Sequence, residues 1–219
     1  MKSLLTKTTK ILAAVALFGA VSANAFTEGK DYMVLEKPLS VEKGTLTKVF
    51  SYACPFCYKY DKSVTPKVVE KVSGLKYVPY HLKTKAEYGE AASKVLAVLV
   101  VKDQEKGVNL LDDNSMFKKA KFAYYKAYHD KKERWNDGKN PEAFIKTGLD
   151  AAGMSMDEYN KELENPKVIE LLKKWDESYE VAKIQGVPAF VVDGKYLIYT
   201  STITSVDGFA KLIEELLKK

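Results

Sequence analysis

Two cysteines, Cys54 and Cys57, are the only thiols of the 219-residue chain and lie three positions apart in the segment SYACPFCYKY. Two thiols at that spacing can form a local structural disulfide, supply half of a metal site or act as a redox couple. A disulfide that closes so short a loop removes little chain entropy, and a structural zinc site needs four ligands. The chain adds only His81 and His129, and neither lies at ligand spacing from the cysteines. We therefore predict a redox couple and neither a bound metal nor a cofactor.

The segments that flank the cysteines predict a strand followed by a helix. Residues 45–51 (TLTKVFS) are mostly β-branched or apolar, which is typical of a buried strand. The residues after Cys57 form a helical pattern, and Pro55 is a residue favoured in the first turn. This places Cys54 at the exposed N-terminus of a helix, where free N–H groups and the helix dipole stabilise a thiolate. We expect Pro66 to end or kink this helix.

The first 25 residues have the pattern of a secretory signal peptide. Three lysines and no acid precede an apolar run at 11–23, and Ala23-Asn24-Ala25 forms an A-x-A cleavage site. The run is shorter than the ~20 apolar residues that a membrane-spanning helix needs. We predict cleavage after Ala25 and secretion into an oxidising compartment, most simply a bacterial periplasm.

Charge and size exclude other classes of protein. The chain carries a net charge of +6, and 32 basic against 29 acidic residues remain once the three lysines of the predicted signal are removed. Charges of both signs alternate along the chain, which is unlike a nucleic-acid-binding protein. About 194 residues suit one large domain or a domain with an insertion, and a core of that size needs no structural disulfide.

Two motifs give the chain a family resemblance. A strand that ends in Phe-Ser-x-x-Cys-Pro-x-Cys-Tyr at 50–58, and Gly-Val-Pro-Ala at 186–189, resemble the DsbA family of thiol:disulfide oxidoreductases. The likeness covers most of the chain after Ala25, and Phe56, where the general oxidase carries histidine, makes it most similar to the DsbL branch. The resemblance implies an α/β thioredoxin fold in which Val187 and a cis Pro188 line the substrate groove.

The distance between the two motifs predicts an inserted helical domain. We expect a thioredoxin-like domain in two parts, 26–84 and 176–219, with an all-helical insertion at 85–175. Helices are predicted at 87–104 and 116–129, from Asn140-Pro141, after the capping box at 155–158, as one long helix from Pro166 through Trp175 to Val181, and at 206–219. Asp193-Gly194 predicts a hairpin turn. Tyr124, Tyr125 and Tyr128 are interpreted as packing residues with hydrated hydroxyls rather than as a ligand cage.

Three positions are candidates for tuning the thiolate: Pro55, Phe56 and Lys48. Phe56 cannot donate a hydrogen bond or carry a charge, so one stabiliser present in the general oxidase is absent. Lys48 stands where the family has a buried acid, and Pro79 where it has that acid's lysine partner. Lys48 either lies beneath the helix N-terminus and favours the Cys54 thiolate, or extends to the surface.

The combined interpretation is a periplasmic dithiol oxidase. A substrate thiolate would attack Cys54, and Cys57 would be the buried partner that re-forms the internal disulfide. The resemblance implies substrate proteins with free cysteines, reoxidation by a membrane quinone reductase similar to DsbB or DsbI, and, in the DsbL branch, an arylsulfate sulfotransferase as the dedicated client. Lysines at 59, 62, 83 and 85 would border the groove, and we expect a monomer. The alternatives are a disulfide isomerase or reductase and a non-enzymatic peptide-binding or chaperone module.

Overall fold

A single five-stranded sheet in the order β1-β5-β4-β2-β3 forms the centre of the protein. The computed structural model describes residues 26–219, so the predicted signal peptide and its cleavage site lie outside the described residues. Strand β2 lies between β4 and β3 in this order; it is parallel to β3 and antiparallel to β4, and all six of its residues are buried. The strands are β1 (Tyr32–Val34), β2 (Thr45–Phe50), β3 (Lys76–His81), β4 (Ala189–Val192) and β5 (Tyr196–Ile198).

Helices cover the sheet. Helices that lie between β3 and β4 in the sequence form a second layer. The helix α3 is central to this layer and packs against α4, α5 and α7, while α2 packs against α9 on the other side of the molecule. A π-helical turn (Lys126–Asp130) extends α4. The helices are α1 (Pro55–Ser63), α2 (Thr65–Lys71), α3 (Gly89–Glu105), α4 (Met116–Tyr125), α5 (Pro141–Ala152), α6 (Met156–Glu162), α7 (Pro166–Trp175), α8 (Ser178–Gln185) and α9 (Val206–Leu216).

Local signals set most of these boundaries. The helix after the cysteines breaks at Val64, two residues before Pro66, as predicted. Asn140 and Ser155 cap α5 and α6, each accepting a hydrogen bond from a main-chain N–H three residues later. Asp193 and Gly194 both have positive φ and form the hairpin turn between β4 and β5. The predicted α/β architecture is confirmed.

The prediction of one long helix from Pro166 to Val181 is wrong. The chain forms α7 up to Trp175 and then α8 from Ser178. The two helices have different partners, since α7 packs on α3 and β3 whereas α8 packs on β2 and β4. At the break, the Glu177 carboxylate accepts hydrogen bonds from the main-chain N–H and the hydroxyl of Ser40, at 2.8 and 2.6 Å. The chain therefore turns here because it passes from the helical layer back to the sheet.

A buried carboxylate fixes the start of α4. Asp103, at the end of α3, is 1% exposed and accepts hydrogen bonds from the hydroxyl of Ser115 and from the main-chain N–H groups of Met116 and Phe117. These N–H groups belong to the first turn of α4 and would otherwise have no partner. Asp103 thereby orients α4, which packs against α1.

Candidate active site

Cys54 is the N-cap of α1. Its sulfur accepts a hydrogen bond from the main-chain N–H of Cys57 at 3.3 Å, and Pro55 occupies the first turn, as predicted. The pKa of Cys54 is lowered to about 6. The hydrogen bond from the Cys57 thiol is the largest cause; main-chain N–H groups of Cys57 and Phe56 and the charge of Lys85 add to it, while burial opposes it. The short turn from β2 into α1 therefore places a thiol that ionises below neutral pH at the start of the helix.

The loop before β4 covers the sulfur of Cys54. The Val187–Pro188 peptide bond is cis, and the Cys54 thiol donates a hydrogen bond to the carbonyl oxygen of Val187 at 3.1 Å. The expectation of an exposed Cys54 is wrong, because Cys54 is only 3% exposed while the following Phe56 is 63% exposed. The bond to Val187 needs the thiol proton, so it is lost when Cys54 ionises.

A cleft of about 630 Å³ begins beside the two motifs. Its walls come from α1, from the loop that carries the cis proline and from the loop before α9. The exposed ring of Phe56 lies at one end, and Gln185 ties two walls together by bonding the carbonyl of Ile198 and the N–H of Thr200. The lining residues are Phe56, Lys59, Tyr60, Val64, Gln185, Val187, Pro188, Thr200, Ser201, Ile203, Thr204, Ser205 and Val206.

Cys57 lies in a different environment. It is fully buried, and burial raises its pKa well above the usual value, as does its hydrogen bond to Cys54. The positive charge of Lys48 lowers the pKa of Cys57 and so partly offsets the burial. The two sulfurs are therefore unequal, and at neutral pH the reduced pair carries its negative charge on Cys54.

Lys48 belongs to a buried cluster of charges beneath α1. Its ammonium is 2.7 Å from Oδ1 of Asp61 and 3.3 Å from the carbonyl oxygen of Cys57. The ammonium of Lys121, on α4, lies 3.3 Å from the same Oδ1, and the hydroxyl of Tyr125 donates to Oδ2 at 2.9 Å. The three charged side chains are each at most 1% exposed. Of the two alternatives for Lys48, extension to the surface is wrong. The ammonium lies beneath α1, but it lies beside the carbonyl oxygen of Cys57.

Comparison with known proteins now identifies the family. The family model of the DSBA-like thioredoxin domain matches residues 45–214. The chain belongs to the DsbA family. The thiol:disulfide interchange protein DsbL of Escherichia coli O6:H1 is 63% identical over 210 residues, which cover 95% of each chain. The thiol:disulfide interchange protein DsbA of Yersinia pestis is 27% identical over 91% of this chain and 90% of its own.

A solved structure supports the same assignment. The crystal structure of DsbL from Salmonella enterica serovar Typhimurium matches with a TM-score of 0.88 and 63% identity, covering 90% of this chain and all of that one. The thioredoxin-like DsbA fold and the predicted resemblance to DsbL are thus confirmed. The chain is a thiol:disulfide oxidoreductase. In the described range 26–219, the helices are too short or too polar to cross a membrane.

Sequence reasoning missed two members of the buried cluster in this DsbA-family chain. Asp61 follows Cys57 by four positions, so helical spacing alone places both on one face of α1, and that signal could have found it. Lys121 lies in the run Lys118-Lys119-Ala120-Lys121, which has the pattern of a solvated surface, and no local signal separates it from its neighbours. Its burial depends on how α4 docks against α1.

The aromatic residues of α4 and its π-helical turn also contact the active-site segment. Tyr58 stacks on Tyr125 and donates to the carboxylate of Asp130 at 2.9 Å, while His129 bonds the carbonyl oxygen of Tyr52 at 2.9 Å. The interpretation of Tyr124 and Tyr125 as packing residues agrees with their complete burial, but the expected hydration of their hydroxyls is wrong. Tyr125 bonds Asp61 instead.

The two histidines are hydrogen-bonded to groups other than the cysteine sulfurs. His81 is fully buried, and burial lowers its pKa to about 3, so its ring is neutral. Its nitrogens bond the hydroxyl of Ser93 at 2.7 Å and the N–H of Tyr52 at 3.4 Å. Both ring nitrogens are thus occupied. Among residues 26–219 no group of three or more His, Cys, Asp or Glu side chains is arranged to hold a metal ion.

Proposed function

We propose that this chain is a periplasmic dithiol oxidase that donates a Cys54–Cys57 disulfide to secreted proteins with free cysteines. The observation that carries the proposal is the thiol of Cys54 at the N-terminus of α1, with its pKa lowered to about 6. A thiolate that is stable at neutral pH stabilises the reduced form of the couple. The disulfide is then the stronger oxidant, so electrons run from the substrate to this protein.

The chemistry follows from the unequal sulfurs. A substrate thiolate attacks Cys54 Sγ; the Cys54–Cys57 bond breaks, and Cys57 leaves as a thiolate that takes up a proton. A second substrate thiolate attacks the substrate sulfur of the mixed disulfide and releases the Cys54 thiolate. The substrate has then lost two electrons and gained a disulfide, and the protein holds the two electrons as a dithiol. Val187 and Pro188 line the groove in which the substrate chain lies.

Reoxidation and clients are proposed from the relatives. A membrane quinone reductase of the DsbB or DsbI type would remove the two electrons from the reduced pair. The high identity to proteins named DsbL favours a narrow client set, with an arylsulfate sulfotransferase as the leading candidate. The active-site surface fits a specialised role because Phe56 is widely exposed and Lys62 lies 4.0 Å from the centre of the Tyr58 ring. We propose that the protein acts as a monomer and that residues 85–175 are a separate helical insertion.

The test is to trap the clients. In Cys57→Ala, the Cys54 thiolate can still attack a disulfide of a client, which is the reverse of the second step; one client sulfur becomes bonded to Cys54 and the other leaves as a thiolate. No internal thiol can then release the mixed disulfide. Covalent partners isolated from the periplasm and identified by mass spectrometry should be few and rich in cysteine pairs. The double variant Cys54→Ala/Cys57→Ala is the matched control and should trap nothing.

Other outcomes would separate the alternatives. Partners that mostly carry several non-consecutive disulfides would favour an isomerase. A broad set of secreted proteins would indicate a general oxidase and remove the proposed specialisation. A folded Cys57→Ala variant without any covalent partner would defeat the oxidase proposal and favour a peptide-binding module.

A further inference from the structure

The buried cluster beneath α1 holds an excess of positive charge. Two ammonium groups, those of Lys48 and Lys121, share the single oxygen Oδ1 of Asp61. Burial lowers the pKa of Lys121 to about 8, which leaves it protonated at pH 7. Burial opposes the charge of Asp61 as well, but the two lysines hold its pKa below the usual value. At neutral pH the cluster therefore contains two positive charges and one negative charge.

An uncompensated charge inside a protein costs free energy, so a neighbouring group that can carry the opposite charge is stabilised in its charged form. Titratable side chains act on Cys57 from several elements: Lys48 from β2, Cys54 from α1, Tyr77 from β3 and Tyr125 from α4. Asp61 of α1 is the partner of Lys48, and Lys121 of α4 is the partner of Asp61. Burial raises the pKa of Tyr77 and Tyr125 well above the usual value, so both stay neutral. In a mixed disulfide Cys54 is bonded and carries no charge, so the Cys57 thiol is then the group at which a new negative charge would balance the excess.

Lys121 comes from α4, between β3 and β4 in the chain, and not from the elements that carry the cysteines. Four aromatic rings surround its ammonium, with ring centres 4.8 to 5.8 Å away, and these contacts favour the charged form. Tyr125 lies one helical turn further and fixes the other oxygen of Asp61. The helical layer thus both supplies the extra charge and holds the carboxylate that positions Lys48.

We propose that α4 completes the redox centre: Lys121 and Tyr125 hold Asp61 and the Lys48 ammonium against Cys57, and the excess positive charge stabilises the Cys57 thiolate when it acts as the internal nucleophile. In that step the Cys57 thiolate attacks Cys54 Sγ of a mixed disulfide. The bond between Cys54 and the bound thiol breaks, the Cys54–Cys57 bond forms, and the bound thiol leaves as a thiolate. Lys121 is in this sense a positioning residue, because it acts through Asp61 and Lys48.

The reaction of the reduced protein with oxidised glutathione has one step for each sulfur, so the reactivities of Cys54 and Cys57 can be measured separately. The Cys54 thiolate first attacks the glutathione disulfide, which forms a protein–glutathione mixed disulfide and releases one glutathione thiolate. Cys57 then attacks Cys54 Sγ and releases the second, so the two electrons lost by the protein reduce both glutathiones. Samples are quenched in acid at successive times, and mass spectrometry measures how much reduced protein, mixed disulfide and oxidised protein each contains. These amounts give the rate constants of both steps at each pH.

Lys121→Met should slow the second step about tenfold at pH 7 and move its pH profile to higher pH, because Cys57 loses the excess charge. The first step should be unchanged. Lys121→Arg keeps the charge and should restore most of the rate. Lys119→Met removes an exposed lysine from the same helix and is the matched control. Tyr125→Phe, which deletes one hydroxyl, should give a smaller slowing of the same step and serves if Lys121→Met fails to fold.

A folded Lys121→Met protein whose second step keeps the wild-type rate and pH profile would overturn the proposal, as would an equal slowing in Lys119→Met. The proposal rests on a redox-active Cys54–Cys57 pair. If the wild-type protein itself forms no mixed disulfide or never releases the second glutathione, the redox function fails, and this outcome is distinct from an unaffected variant.

Discussion

The two sulfurs of this protein are three residues apart and have opposite surroundings. The Cys54 sulfur accepts hydrogen bonds from the Cys57 thiol and from main-chain N–H groups at the start of α1, and these lower its pKa to about 6. Cys57, less than one helical turn later, lies beside Lys48 of β2, which is linked through Asp61 of α1 to Lys121 of α4. Burial keeps the pKa of Cys57 raised. A helix N-terminus can thus be built from local sequence, whereas the charges around Cys57 require the helical layer to be docked.

Loss of the Asp103 carboxylate would weaken the docking of α4 without altering either sulfur. Asp103→Ala leaves the Ser115 hydroxyl and two N–H groups of the first turn of α4 without their acceptor. We expect a loss of at least about 3 kcal/mol in the free energy of unfolding, since three hydrogen bonds to a charged group are removed and each contributes roughly 1.5–3 kcal/mol. Denaturant unfolding of the oxidised protein measures it. The pKa of Cys54 should remain that of the wild type, and a Cys54 shift of one unit would contradict the separation of the two environments.

The low pKa of Cys54 makes the stability of the reduced protein depend on pH. The folded pKa of Cys54 is about 6, below the value of about 8.5 in an unfolded chain, so this group stabilises the reduced fold above pH 8.5 and the contribution is lost as pH falls through 6. Between pH 6 and pH 8 the reduced protein should gain about 2 kcal/mol relative to the oxidised protein. Cys57 has a raised pKa and acts in the opposite direction, but only as pH rises above about 8.5.

Parallel denaturant titrations of both redox forms at pH 6, 7 and 8 measure this difference. The oxidised form is the internal control because it has no thiol to titrate. A difference between the two forms that does not change with pH would contradict the low pKa of Cys54.

Much of this arrangement follows from local sequence, and the rest does not for identifiable reasons. β2, the break at Val64, the caps at Asn140 and Ser155 and the hairpin at 193–194 depend on neighbouring residues and were predicted correctly. The three-residue strand β1 was not predicted, since so short a segment carries no periodicity. The break between α7 and α8 was missed because it depends on which element each half packs against.

The candidate site divides in the same way. The Cys-Pro-Phe-Cys segment, the cis Pro188 and the low pKa of Cys54 follow from a strand, a helix and a family resemblance. The burial of Lys121 does not, because a lysine becomes a core residue only when a distant carboxylate is brought to it. Long-range electrostatic pairs of this kind have no sequence spacing to reveal them.

Phe56→His tests how complete the stabilisation of Cys54 already is. The ring at position 56 is 63% exposed at the mouth of the cleft, so a histidine placed there would be partly hydrated. Its charge would be screened, and we expect the pKa of Cys54 to fall by less than about one unit, and only below pH 6.5 where histidine is protonated. Thiolate absorbance against pH in the reduced protein measures the shift. A fall of two units or more would show that the main-chain donors alone leave the thiolate poorly stabilised.

The smallest change in the pKa of Cys54 is expected on substitution of Lys48. Lys48 was a candidate for tuning Cys54, but its ammonium lies 3.3 Å from the carbonyl oxygen of Cys57 and lowers the pKa of Cys57. Lys48→Met should therefore change the pKa of Cys54 by no more than about half a unit. Asp61 keeps Lys121 as a partner in this variant, so the buried carboxylate is not left alone. The absorbance titration of Cys54 and the rate at which Cys57 releases glutathione, measured on the same sample, should respond differently. A Cys54 pKa that rises by a full unit would mean that the charge cluster serves both sulfurs and that the division between them does not hold.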